Sequence, residues 1–148
     1  MSAKLRVIPI GGLGEIGKNM TAIQYDDEII IIDCGIMFPE NDLLGIDYII
    51  PDYSYVRENS EKVKAILFTH GHEDHVADVE TIAKACGAKV VSNFEIVSWF
   101  GAKGIDGHPM NFGGSWKFEF GRLKYVYAAH SSTLPDGSSG GNAGGFII

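Results

Sequence analysis

The stretch Thr69-His70-Gly71-His72-Glu73-Asp74-His75 sets three histidines and the carboxylate of Asp74 within six residues, directly after an apolar run. His70 and His72 stand two apart, so extended backbone at a strand end can aim both rings at one point, with Gly71 letting the chain bend between them. Asp74 and His75 then face a second point. A helix over Val76 to Cys86 would put its N-terminus beneath this loop. A mixed imidazole and carboxylate set suits a borderline divalent ion, zinc first, with manganese or iron as alternatives. The competing reading is a polar turn that happens to carry surface histidines. Clustering at this density without a cation to hold it argues against that reading.

The elements that must carry these residues follow from periodicity. Lys4 to Ile10 alternates polar and apolar residues and reads as a strand, followed by the glycine loop Gly12-Leu13-Gly14-Glu15-Ile16-Gly17. That loop matches G-x-G-x-x-G, and Asp33 lies at a distance that suits a ribose-binding acid, so a dinucleotide site is the main rival motif. It requires a helix after Lys18, whereas Met20 to Tyr25 is short and closes in the turn pair Asp26-Asp27. Two strands joined by that turn fit better, with the glycines serving close backbone packing. Glu28 to Asp33 reads as a buried strand whose terminal Asp33 either hydrogen-bonds the metal loop or accepts backbone N–H groups. Residues 36 to 50 read as a long irregular loop, Asp52 to Lys62 as a short helical stretch, and Ala65 to Thr69 as the strand that delivers the histidines.

Val76, Val79, Ile82 and Ala83 share one face of the expected helix, which Gly87 ends. Lys89 to Ser92 forms a strand, and Asn93 caps a helix to about Ala102. This rhythm indicates an α/β layered fold. The pattern then turns to β: Trp116 to Phe120 alternates, Gly121-Arg122 turns, and Leu123 to Ala129 returns as a strand ending at His130. A strand-terminal histidine beside the loop would complete a three-histidine set with His70 and His72. His108 reads as a solvated loop histidine or a pocket residue. Thr133 to Gly145 has the glycine-rich composition of a mobile loop or lid, and Gly144 to Ile148 begins another strand.

The bulk numbers bound the remaining possibilities. At 148 residues, with 45% hydrophobic and 21% charged, the chain suits one folded unit of residues 1–148 with a real core. No run approaches the ~18 apolar residues of a membrane span, and the first residues lack a secretory pattern, so a cytoplasmic location is expected. A net charge of −7, with twelve Lys and Arg scattered along the sequence, leaves no electrostatic footprint for nucleic acid. Cys34 and Cys86 lack C-x-x-C spacing and read as reduced thiols.

The loop His70-x-His72-x-Asp74-His75 resembles the signature of the metallo-β-lactamase superfamily, whose fold is an αββα sandwich. Within it, residues 4–75 resemble ribonuclease J, through GGLGEIGKNM, IIIDCGIMFPE, LGIDYIIPD and LFTHGHEDH. Residues 76–148 are more similar to a compact family of uncharacterised metal-dependent hydrolases, through VADVETIAKACGAKVV, HPMNFGG and the YAAHSS around His130. Two branches in succession suggest an engineered chimera or a lineage that mixes both. The resemblance implies the N-terminal half to two-thirds of the sandwich, a mixed sheet with helices on one face. It also implies one metal held by His70, His72 and His130, a second by Asp74 and His75, a catalytic part for Asp74, and phosphodiester or RNA hydrolysis by activated water. Zinc, as one or two ions, is the expected cofactor, with manganese possible. The superfamily's bridging aspartate and last histidine belong to later strands. A single sheet would leave an apolar face bare, so association of two copies into a homodimer is expected. The alternative to an enzyme is a non-catalytic metal-binding half-domain that self-assembles.

Overall fold

The computed structural model describes residues 4–39 and 44–148, so the part of the expected 36–50 loop that falls on residues 40–43 lies outside the described residues. Strand β1 (Leu5–Gly11) pairs antiparallel with β2 (Met20–Tyr25), which pairs antiparallel with β3 (Glu28–Ile32) through the turn at Asp26-Asp27. Asp26 takes a left-handed φ of 50°, a conformation that aspartate tolerates better than most residues. From β3 the sheet continues in parallel through β4 (Val63–Leu67), β5 (Lys89–Ser92) and β6 (Gly107–Pro109). Parallel neighbours need crossovers, which the helices supply. They are α1 (Ser54–Glu58), α2 (Glu73–Val76), α3 (Val79–Cys86) and α4 (Phe94–Gly101).

Alternation across the pleat decides which face each isoleucine of β3 serves. Ile29 and Ile31 join Ile66, Phe68 and the apolar stripes of α3 and α4 in the larger core. Ile30 points the other way. Phe68 is fully buried and stacks on Phe100 at 5.5 Å between ring centroids, so truncating it to alanine should cost ~3–5 kcal/mol. Gly87 ends α3 as expected, in the left-handed conformation with φ 64°. Asn93 caps α4 by accepting from the Ile96 N–H at 2.9 Å. Cys34 and Cys86 are both free thiols.

Five expectations are revised. The helix expected over Val76 to Cys86 is two helices, because Asp78 breaks it: its backbone N–H bonds the Cys34 carbonyl at 3.1 Å and its carboxylate accepts from Tyr53. His75 thus closes a short helical turn instead of lying in an open loop. The hairpin turn falls on Glu119-Phe120, not Gly121-Arg122, since Phe118 pairs with Gly121 and Lys117 with Arg122. His108 lies in edge strand β6, packed against Trp116 and Phe118, and is neither a loop residue nor part of the histidine cluster.

The remaining two concern the second half of the chain. The sheet face away from the helices is not bare, because β7 (Ser115–Phe118), β8 (Gly121–Tyr127) and β9 (Gly144–Ile147) form a second, three-stranded antiparallel sheet over it. Ile30, Ala65, Leu67 and Val91 meet Met110, Leu123 and Tyr125 in a core between the two sheets. Among the described residues the β1–β2 end of this face stays open, where Leu5, Val7 and Tyr25 are exposed. The glycine-rich stretch before β9 is a pinned strap instead of a lid. Asn93 Nδ2 donates to the carbonyls of Gly140 at 2.7 Å and Asn142 at 3.0 Å, and Leu134 is buried.

Candidate metal centre

Two structural devices bring the histidines together. Beyond the end of β4, Thr69 to His72 runs over the top of the sheet into α2. From the second sheet, the segment after β8 carries His130 back over the same edge, held by the Ala128 N–H on the Ala143 carbonyl at 3.1 Å. His130 therefore sits three residues beyond the strand that was expected to end at it. The ring centroids of His70 and His72 lie 4.6 Å apart, those of His70 and His130 4.5 Å, and those of His72 and His130 5.1 Å.

The donor atoms form two sets that share a residue. One nitrogen from each of His70, His72 and His130 lies within 4.8 Å of the others, and so do single donor atoms of His70, Asp74 and His75. His70, with 5% of its surface exposed, is the hinge between them. All five expected residues are thus brought to one place, with His70 serving both corners where the sequence reading assigned it to one.

Asp33 organises the Asp74/His75 corner. It stands in the left-handed region at φ 57° at the end of β3, and its Oδ1 accepts from the Thr69 N–H at 3.0 Å. Its Oδ2 accepts from the Thr69 hydroxyl at 2.9 Å and from His75 Nδ1 at 2.8 Å. Both readings of this carboxylate from sequence therefore hold. The Thr69 proton is committed to Asp33, so its oxygen accepts from His70 Nδ1 at 3.0 Å. His130 Nδ1 can only donate to the Ser131 carbonyl, 2.9 Å away. In His70, His75 and His130 alike, the Nδ1 proton is held by an acceptor, the orientation by which outer partners fix ligating histidines; Nε2 is left bare in His70 and His130, and in His75 it faces the Asn19 amide at 3.1 Å.

Electrostatics favour the same state. Burial, then the nearby His75, His72 and His130 rings, push the His70 imidazole down to about 3, so it is neutral and able to donate a lone pair at neutral pH. Burial also disfavours charge on His75, but its hydrogen bond to Asp33 and the charges of Asp33 and Asp74 outweigh that and raise it above the ordinary value. Convergent bare imidazole nitrogens beside a carboxylate fit a borderline divalent cation such as zinc.

Sequence reading missed several supports. Asn19 donates its amide to Asp74 Oδ2 at 3.2 Å and lies 3.1 Å from His75 Nε2, reaching from the glycine loop to the corner. Its only signal was a polar residue between that loop and β2. Gly35 lets Asp74 sit against the β3 end, since a Cβ there would stand 1.4 Å from the Asp74 carbonyl oxygen. Gly71 does not use a positive φ to bend the chain; it makes room, because a Cβ would meet Leu134 at 3.1 Å while its N–H bonds Ser132 Oγ at 3.0 Å. Ser131 Oγ lies 3.2 Å from His72 Nε2. No helix follows the glycine loop, so the dinucleotide reading lacks the element it needs.

The family model for the metallo-beta-lactamase superfamily matches residues 13–146, and the chain belongs to that superfamily. It is 57% identical over 98 residues to a UPF0173 metal-dependent hydrolase of Flavobacterium johnsoniae, across 66% of this chain and 44% of that protein. It is also 63% identical over 78 residues to ribonuclease J 1 of Streptococcus pyogenes, across 53% of this chain and 14% of that protein. Among solved structures, Igni18, a metallo hydrolase from Ignicoccus hospitalis, shares the fold with a TM-score of 0.64 at 24% identity, over 97% of this chain and 55% of its own. The chain spans about half the length of the first and last of these and a far smaller share of the ribonuclease. Among the described residues, no helix is long and apolar enough to cross a membrane.

Proposed function

We propose that this chain carries the metal-binding half of a hydrolase that cleaves phosphodiesters, RNA foremost, with zinc as the cofactor and manganese as a substitute. The observation that carries the reading is the meeting of His70, His72 and His130 from two sheets, beside Asp74 and His75. His70, His72 and His130 would hold one ion, and Asp74 and His75 a weaker second. Bound there, the metal supplies Lewis acidity, lowering the pKa of a water molecule and offsetting the charge that phosphoryl oxygens gain. The protein's own part is orientation. Asp33 and Thr69 fix His75 and His70 in the tautomers that present Nε2, and Asn19 holds Oδ2 of Asp74 so that its other oxygen is free to orient the attacking water. The preference for RNA rests on the likeness to ribonuclease J.

The test is hydrolysis of a generic phosphodiester with added zinc or manganese, in the parent chain and in His72→Ala. Activity that vanishes in the mutant supports the enzyme. A second reading, of a non-catalytic metal-binding half-domain that pairs into a homodimer, is favoured by the exposed Leu5, Val7 and Tyr25 at the open end of the larger sheet. It predicts zinc uptake and a dimer mass with no turnover in either chain. We also read residues 1–148 as a single domain joined from a ribonuclease J-like part, 1–75, and a hydrolase-like part, 76–148, a chimera located in the cytoplasm, where free Cys34 and Cys86 stay reduced.

A further inference from the structure

The start of α4, the segment after β6 and the strap before β9 enclose a pocket of about 370 Å³, with fully buried Tyr125 of β8 at its floor. That size suits a small molecule, and none of the histidines of the metal centre lines it. Among the described residues, the phenol oxygen of Tyr125 is buried without a hydrogen-bond partner. Ser92 and Asn93 face it but have no proton left to give. Ser92 Oγ donates to the Phe68 carbonyl at 2.9 Å, and the Asn93 amide donates to the carbonyls of Gly140 and Asn142. Burial pushes the phenol above its ordinary value against the pull of Ser92 and Asn93, so the hydroxyl keeps its proton. A buried hydroxyl with a proton to give and lone pairs to fill costs free energy until something enters to pair with it.

The walls define what would enter. Glu95 sets its carboxylate against the strap, where a Cβ on Gly141 would stand 2.6 Å from Oε2, and among the described residues it has no ion-pair partner. No Lys, Arg or His lines the pocket, so nothing there neutralises an anion. Asn111 and Asn142 add exposed side-chain amides. Phe112 stacks on Tyr125 at 5.2 Å with planes 5° apart and keeps 41% of its surface open. An unneutralised carboxylate beside an open aromatic ring selects an organic cation. The two amides and the unpaired phenol select hydroxyl groups on that cation, since a hydroxyl both gives and accepts a proton.

We propose that this pocket binds a small hydroxylated ammonium compound of the amino-sugar class. Its ammonium group pairs with Glu95, one hydroxyl pairs with the Tyr125 phenol, others meet Asn111 and Asn142, and its C–H face lies against Phe112. A neutral sugar lacks the charge that Glu95 calls for, and a plain alkylamine leaves the phenol unpaired.

The experiment follows the amide NMR shifts of the intact chain titrated with glucosamine at about pH 6.5, where the amine is protonated, beside glucose and cyclohexylamine. Saturable shifts are expected at Gly141 and at the Asn111 and Asn142 side chains, with glucose and cyclohexylamine each about tenfold weaker. Glu95→Gln should bring glucosamine down to the affinity of glucose. Glu95 is exposed in the first turn of α4, so this variant keeps the fold, and its circular dichroism should match the parent. Tyr125→Phe should weaken glucosamine about threefold while the melting temperature holds or rises, because the hydroxyl it removes is unpaired. The proposal is overturned if glucosamine gives no saturable shift or its shifts centre on His70, His72 and His130. It is equally overturned if either comparison compound binds as tightly as glucosamine, or if Glu95→Gln binds like the parent.

Discussion

The two corners of the histidine cluster are built differently. The Asp74/His75 corner is assembled from the first half of the chain, with Asp33, Asn19 and Gly35 bracing it through the ends of β2 and β3. The His72/His130 corner exists only when the second sheet docks, and its hold is the strap that Asn93 and Ser132 tie down through Gly140. One corner is organised by carboxylate and amide hydrogen bonds near the strand ends, the other by long-range packing. A perturbation of either should therefore leave a distinguishable trace in the other.

The largest break is expected from Gly35→Ala. Its Cβ would stand 1.4 Å from the Asp74 carbonyl oxygen, so backbone must move. Denaturant unfolding should report a loss of about 3 kcal/mol or more, with zinc uptake reduced at both corners because His70 moves with the loop. Asp33→Ala strands the Thr69 N–H and frees the His75 ring. A loss near 2 kcal/mol in stability and a 10–100-fold loss in metal affinity are expected, read by denaturant titration and calorimetric zinc titration. Asn93→Ala removes the α4 cap and two ties to the strap, costing about 1–2 kcal/mol. In histidine-labelled NMR spectra, it should shift the His72 and His130 resonances and spare His75. Ser131→Ala should be the mildest, within about 1 kcal/mol, felt at His72 and more weakly at His130, whose Nδ1 lies 3.5 Å from the same hydroxyl.

The same division explains what the sequence revealed. His70, His72, Asp74 and His75 are close in sequence and follow a strand, so local geometry alone put them together, and the isoleucine run of β3 and the glycine after α3 were legible for the same reason. Asn19 and Ser131 were not, because each acts through a contact set by tertiary packing, with no periodicity to announce it. The strap looked mobile because Gly, Ser and Asn there report backbone freedom in isolation. The Asn93 amide that cancels that freedom lies 47 residues from Gly140. The helix over 76–86 was misjudged by the same token: apolar spacing continued across Ala77 and Asp78, but Tyr53 and Cys34 claim Asp78 from outside the segment.

Calorimetric zinc titration of the intact chain beside His130→Ala tests the central claim most directly, since His130 is the donor contributed by the second sheet. The account predicts tight uptake of at least one ion per chain, lost or greatly weakened in the variant while circular dichroism stays unchanged. Absence of zinc binding by the parent, or identical binding by the variant, would contradict it.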